Sequence, residues 1–344
     1  MKTPPSDRPR LRRWPYRLLL TFLAAAFAFS LLLNCTAVSI IQSSDRAPSF
    51  FLSGEKPDDE FPSFRETPSY GDSGPKVVRI DLDGEISRSA PASPFARSHD
   101  PVELVLRQIR CASADPDAAA ILLEVDSPGG GLTASDEIYH ELLRFKQSDT
   151  NRVVVGLVHD MAASGAYYAL LPADHIVAQP TALVGSIGVI LPSVNAAALA
   201  DRLGVADASV KSGDNKDLLN PLRPVDPAQV AILQTAIDAS YERFLSLVAA
   251  HRHRSLKHFR PLCDGRVFPA DEALKNGFAD SIGYREDALG VLASLLEVPE
   301  VRLVRYERPS SLLDDLFSLA APFHSLSAAL APFSSRSPLA LWKP

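Results

Sequence analysis

From residue 77 the chain alternates apolar runs with amphipathic stretches. VVRIDLDGEI (77–86) has the period of a strand, and PVELVLRQIRCA (101–112) has helical spacing with proline in the first turn. AAAILLEVDS (118–127) is apolar enough for a strand buried on both faces. It runs into three glycines, and LTASDEIYHELLRFKQ (132–147) follows as an amphipathic helix. VVVGLV (153–158) predicts another buried strand, AYYALL (166–171) a helix, and HIVAQP (175–180) and GSIGVIL (185–191) two short strands. VNAAALADRLG (194–204) and a long amphipathic stretch from 227 to 253 predict two further helices. Strands that alternate with helices predict an α/β domain with a mainly parallel sheet.

The ends of the chain have a different texture. Residues 1–17 are basic, and 18–41 form an uncharged run long enough for a membrane-spanning helix. The positive flank places the N-terminus in the cytoplasm and the remainder outside. A cleaved signal peptide and a lipoprotein signal ending at Cys35 are competing readings; an uncleaved anchor is the one adopted. Residues 42–75 are rich in Pro, Ser, Asp and Glu and read as a flexible linker, with the folded domain expected over 76–308. The apolar, proline-broken stretch 309–344 reads as a tail that packs on a neighbour, lies on a membrane or is disordered, rather than as a second membrane span.

A net charge of −6 gives no support for nucleic-acid binding. The three cysteines, Cys35, Cys111 and Cys263, form no CxxC pair and no disulfide framework. No His, Cys, Asp or Glu spacing resembles a metal site, and no cofactor is expected.

Candidate chemistry centres on DMAASGAYY (160–168), where Ser164 is the one hydroxyl between a predicted strand and a predicted helix. A serine there has its Oγ at the positive end of a helix, and the Gly165 N–H is a first-turn donor for an oxyanion. The plainer reading is an N-cap. Gly129, Gly130 and Gly131 end the preceding strand, where backbone amides can approach a ligand; a tight turn is their plainer reading. A serine nucleophile needs a base. His159 lies five residues upstream, with His140 and His175 as further histidines and Lys211 and Lys216 as lysines in KSGDNKD (211–217). At pH 7 only about one unperturbed lysine in 2,500 is neutral, a penalty of about 4.6 kcal/mol, most of which burial can remove.

DSPGG (126–130), MAASGAYY (161–168), TALVGSIGVI (181–190), SGDNKD (212–217) and DGRVFPADEALKNGFAD (264–280) occur in an order and at separations that resemble the signal peptide peptidase A (protease IV) family, peptidase family S49, in its short single-domain form. The resemblance implies a Clp protease/crotonase-like fold of repeated ββα units, here preceded by an N-terminal transmembrane helix. It implies a Ser/Lys dyad of Ser164 and Lys216, which selects Lys216 over Lys211 and makes His159 a bystander. Ser186 would orient the lysine, and Gly165 with Gly130 or Gly131 would form the oxyanion hole. Ala166 departs from the glycine frequent in relatives, without consequence for the chemistry. Serine and lysine come from different copies of the domain in this family. A single-copy chain is therefore expected to form a homo-oligomeric ring with shared sites. The expected substrates are remnant signal peptides and other short apolar peptides, on the extracytoplasmic side of the bacterial plasma membrane. A silent peptide-binding scaffold on the same fold and an acyl-CoA enzyme of the crotonase type are the competing functions.

Overall fold

The computed structural model describes residues 64–88 and 100–307 and the backbone of 339–341. The expected basic N-terminus and membrane span lie outside the described residues. Among the described residues no helix is long and apolar enough to cross a membrane.

The described chain runs β1 (Arg65–Tyr70), β2 (Lys76–Asp83), α1 (Pro101–Ala114), β3 (Ala118–Ser127), β4 (Gly129–Gly131) and α2 (Leu132–Ser148). It continues through β5 (Val153–Ala163), α3 (Gly165–Leu170), β6 (His175–Ala178), β7 (Leu183–Gly185) and α4 (Ala197–Leu203). A 3-10 turn at Asp214–Asp217 precedes α5 (Pro227–His251) and α6 (Leu256–Phe259). The last elements are β8 (Val267–Pro269), α7 (Ala270–Asn276), β9 (Ser281–Ile282), α8 (Arg285–Leu295), β10 (Arg302–Glu307) and β11 (Leu339–Leu341).

The main sheet has the order β1-β10-β2-β3-β5-β6-β9, parallel throughout except for the antiparallel β1–β10 pair. Its central strands are apolar on both sides because both faces are covered. Ile121, Leu123 and Val125 of β3 join one core with α1, α2, α3 and the later half of α5. Ala120 and Leu122 join a second core against Ala288, Leu289 and Leu292 of α8. Helix starts follow the capping signals: Asp100 accepts from the N–H groups of Val102 and Glu103, Asp226 accepts from Ala228 N–H, and each is followed by proline at the first helical position.

Several boundaries differ from expectation. The sheet begins at Arg65, inside the segment read as linker, because β1 pairs with β10 along the sheet edge. Lys76 ties this edge down, with Nζ 2.6 Å from Glu66 and 2.9 Å from Asp115. The polar composition of RETPSY hid the strand, since five of its six residues are exposed. The strand expected at 185–191 stops at Gly185, where the chain turns through positive φ at Ser186 (51°). The strand expected at 153–158 runs on to Ala163, since its first half pairs with β6 and its second half with β7. β7 in turn pairs antiparallel with β8. β5 thus pairs first with β6 and then with the β7–β8 branch of the same sheet, and delivers residue 164 to the corner where the two branches part.

Candidate active site

Ser164 stands at that corner. The hydrogen bond from its N–H to Gly185 O (2.7 Å) and that from Ser186 N–H to Arg266 O (2.7 Å) extend the β5–β7–β8 pairing by one residue each. Ala163 pairs with Gly185, so the two serines follow paired residues at neighbouring strand ends. Both have left-handed backbone, φ 54° at Ser164 and 51° at Ser186. Such conformations cost about 1–3 kcal/mol at a non-glycine residue and persist where surrounding structure imposes them. At Ser164 the reason is geometric: a sharp strand-to-helix turn aims the side chain away from the helix it precedes.

Ser164 is the N-cap of α3 by position, yet its side chain makes no capping hydrogen bond. Capping therefore does not account for the hydroxyl. Ser164 is 2% exposed and Ser186 6%. The helix behind is fixed by its tyrosines: Tyr167 Oη donates to Phe278 O (3.0 Å), and Tyr168 Oη donates to Asp136 Oδ1 (2.5 Å), which Arg243 also holds (2.7 Å). Burial pushes both phenols up, so they remain neutral donors. Tyr168 N–H donates to Ser164 O (3.0 Å), the first bond of the helix, so the Gly165 amide lies in the unpaired first turn.

The glycine strand β4 faces α3. Its three amides have different fates. Gly129 N–H donates to Ser127 Oγ (3.1 Å), and Ser127 Oγ donates to Gly84 O (2.5 Å). Gly131 N–H donates to Ile86 O (2.8 Å), while Ile86 N–H donates to Gly129 O (2.8 Å). Gly131 is therefore not available as an oxyanion donor, a correction to its candidacy. Backbone groups alternate sides along a strand, so the Gly130 N–H and C=O point the other way, towards the side on which β11 pairs with β4, with Ala340 opposite Gly130. A side chain at Gly130 has no room: a Cβ there would lie 2.1 Å from Ile86 O. Ser127, which sequence reasoning did not single out, sets this register; its signal was its place inside DSPGG.

The bases fall into two groups. His159 Nε2 is 2.8 Å from Glu124 Oε2 and its Nδ1 is 2.8 Å from Gln179 Nε2, so both ring nitrogens are engaged away from Ser164. Glu124 also receives Arg285 in a bidentate pair (2.7 and 2.7 Å) and Arg79 (3.2 Å). Burial pushes the Glu124 carboxyl up, but the Arg285 and His159 hydrogen bonds and the nearby Arg79 outweigh it and hold it below the ordinary value. His175 bonds Ser281 Oγ (2.8 Å), and His140 is exposed. Lys211 is spent inside its own loop, with Nζ 2.5 Å from Asp217 Oδ1 and 3.0 Å from Asp214 O. Lys216, in the 3-10 turn, is exposed, and no hydrogen bond or ion pair joins it to Ser164, Ser186 or any other described side chain. The structure thus brings together Ser164, Gly165, Gly130 and Ser186, and leaves Lys216 on a surface arm.

Cys263 is buried and its thiol is pushed up to about 12 by burial; Cys111 is half-buried and also raised by burial. Among the described residues no group of three or more His, Cys, Asp or Glu side chains is placed to hold a metal ion.

Comparison with known proteins gives a consistent set of likenesses. The family model described as peptidase family S49 matches residues 146–299, and that described as Clp protease matches residues 98–183. A putative signal peptide peptidase SppA from Enterococcus faecium is 32% identical over 246 residues, covering 72% of this chain and 71% of that protein. A putative protease from Methanocaldococcus jannaschii is 35% identical over 235 residues (68% and 75%), and one from Synechocystis sp. is 34% identical over 240 residues (69% and 81%). Among solved structures, a ClpP1 mutant from Listeria monocytogenes is matched with a TM-score of 0.40 at 16% identity, over 61% of this chain and 93% of that one.

Proposed function

The chain belongs to peptidase family S49 and is a serine peptidase, and from that premise we propose that Ser164 is its nucleophile and that Lys216 of a neighbouring copy of the chain is its base. The observation that carries this reading is the uncommitted Ser164 hydroxyl: buried, at positive φ, at a helix start, and free of the capping bond its position would otherwise explain. Lys216 is the lysine of the pair in KSGDNKD that has no partner in its own loop.

The lysine cannot act where it stands, because it is exposed on the surface and no hydrogen bond joins it to Ser164. Insertion into the Ser164 corner of a second copy supplies the burial that frees its lone pair. The arm that carries it is built for contact. Leu199, Leu203, Val205, Val210, Val225 and Ile232, on α4, α5 and the loops between them, are all exposed. Exposed apolar clusters of this kind mark interaction surfaces.

Neutral Lys216 takes the Ser164 proton as Oγ attacks a peptide carbonyl. The amides of Gly165 and Gly130 hold the resulting oxyanion, and Ser186 hydrogen-bonds the lysine and keeps it oriented. The lysine returns the proton to the leaving amine. It then activates water to hydrolyse the acyl-enzyme. The substrates are short apolar peptides, remnant signal peptides among them. They are cleaved outside the cytoplasm by a domain held to the bacterial plasma membrane through residues 18–41.

Mixing subunits tests the shared site. Ser164→Ala and Lys216→Ala chains are each expected to be inactive, and an equal mixture to recover about a quarter of wild-type activity if neighbours are drawn at random around a ring. A co-assembled mixture that stays inactive would sink the shared dyad.

A further inference from the structure

The 3-10 turn that carries Lys216 has no apolar anchor. None of its residues, Asp214–Asp217, is buried, and its N-cap, Gly213, offers no side-chain cap. Charge holds it instead, and the charges converge on Asp217. Lys211 Nζ lies 2.5 Å from Asp217 Oδ1 and donates to Asp214 O (3.0 Å), closing the loop from its N-terminal side. Arg223 Nη1 lies 3.3 Å from Asp217 Oδ2, and Asn220 Nδ2 donates to the same oxygen (3.4 Å), closing it from the C-terminal side. Asp207 in turn holds Arg223 (2.6 Å) and Asn220 (3.0 Å), and Gln229 of α5 donates to Asp214 O (3.4 Å). The hydrogen bond from Lys211 is the main cause that holds the Asp217 carboxyl below its ordinary value, so it is ionised at neutral pH.

A carboxylate paired with a lysine keeps the proton on it and opposes its use as a base. Asp217 does not pair with its neighbour Lys216; its oxygens are taken by Lys211, Arg223 and Asn220. Adjacent residues in a 3-10 turn, at about three per turn, point roughly 120° apart. With Asp217 half-buried and pinned to the loop, Lys216 is the side chain left exposed. We propose that Asp217 is the positioning residue for Lys216: it holds the turn in one conformation, so that the lysine reaches the Ser164 corner of a neighbouring copy already oriented. This rests on the reading of Lys216 as a base supplied by a neighbour. Asp217 touches neither the serine nor the substrate. It removes conformational freedom that the turn would otherwise lose on insertion, and a reacting group misplaced by about 1 Å costs roughly 10²-fold in rate.

Kinetics and subunit mixing on the full chain decide this. Asp217→Asn keeps the size of the side chain and removes the charge that holds Lys211 and Arg223. It is expected to lower kcat about tenfold or more with KM near the wild-type value, because the substrate is held by the subunit that carries the serine. Mixing then locates the defect. An equal mixture of Asp217→Asn with Ser164→Ala is expected to reach about a quarter of wild-type activity, since about a quarter of the sites join an intact serine to a correctly held lysine. An equal mixture of Asp217→Asn with Lys216→Ala is expected to fall to about half of the Asp217→Asn level, since it contains no correctly held lysine. Lys211→Ala, which removes another member of the clamp, should show the same one-sided rescue. A residue that only stabilised its own chain would not distinguish the two partners. Wild-type kcat in Asp217→Asn, rescue by neither partner, or rescue by Lys216→Ala alone overturns the inference. So does an Asp217→Asn chain that no longer sediments with its partners, which assigns the residue to assembly. The mixture of Ser164→Ala with Lys216→Ala is the control: if it stays inactive after co-assembly, the shared dyad fails and the role of Asp217 falls with it, whereas an active control with any of the preceding outcomes leaves the dyad standing.

Discussion

At the scale of single residues, the site depends on backbone positions that few side chains tolerate. Ser164 holds positive φ because its N–H is tied to Gly185 O and its C=O to Tyr168 N–H. Those bonds fix the turn from both sides. Gly130 has a steric constraint, since its Cα lies hard against the Ile86 backbone. Gly130→Ala is expected to push β4 away from residue 86 and displace the proposed oxyanion donor. A misplacement of about 1 Å costs roughly 10²-fold in turnover. Steady-state kinetics should therefore show a fall in kcat with a near-normal melting temperature; unchanged kcat would remove Gly130 from the oxyanion hole.

At the scale of elements, the charged cluster around Glu124 joins four pieces of the fold. β2 supplies Arg79, β3 Glu124, β5 His159 and α8 Arg285. Glu124 is almost fully buried, so its removal strands two guanidinium groups. Glu124→Gln is expected to cost about 1–3 kcal/mol, below the usual figure for a broken buried pair because Arg285 is partly exposed. The pH dependence has a definite sign. The folded-state pKa of Glu124 lies below its ordinary 4.5. Its contribution is thus complete above about pH 4.5 and lost as the pH falls through the folded value. Urea unfolding of both chains at pH 7 and at about pH 3 should show the stability gap closing in acid. A gap that persists would mean that packing, not charge, is what the substitution disturbs.

At the scale of the whole molecule, the proposed nucleophile and its proposed base belong to regions built by opposite rules. Ser164 is sealed in a corner of the sheet; Lys216 rides on an arm whose apolar side chains face solvent in the single chain. If those side chains bury against a second copy, placing charge there should weaken assembly and activity together. The pair Leu203→Asp and Val210→Asp is expected to lower the sedimentation coefficient and to reduce activity about tenfold at fixed concentration, since 1.4 kcal/mol lost from an interface is a factor of ten. Full activity in a chain that sediments as a monomer would refute a site completed by a neighbour.

The sequence by itself determined the α/β class, the order of the central strands and helices, and the place of Ser164 between a strand and a helix. Each is written locally: apolar runs of strand length, an Asp-Pro helix start, and one hydroxyl among small residues between a strand and a helix. The edge strand β1 was not legible, because an exposed strand carries no apolar alternation. Nor was the end of β5, whose pairing changes partner halfway along. The choice among the glycine amides was equally hidden, since Gly129, Gly130 and Gly131 are identical in sequence and differ only in what lies opposite them. Ser127 and Ile86 make that choice, and Ile86 lies 44 residues before Gly130 in the chain. The pairing of residues 339–341 with the glycine strand had no local signal either. Strand partners are chosen by edges that come together only when the chain has folded, and tertiary structure alone decides which edge is open.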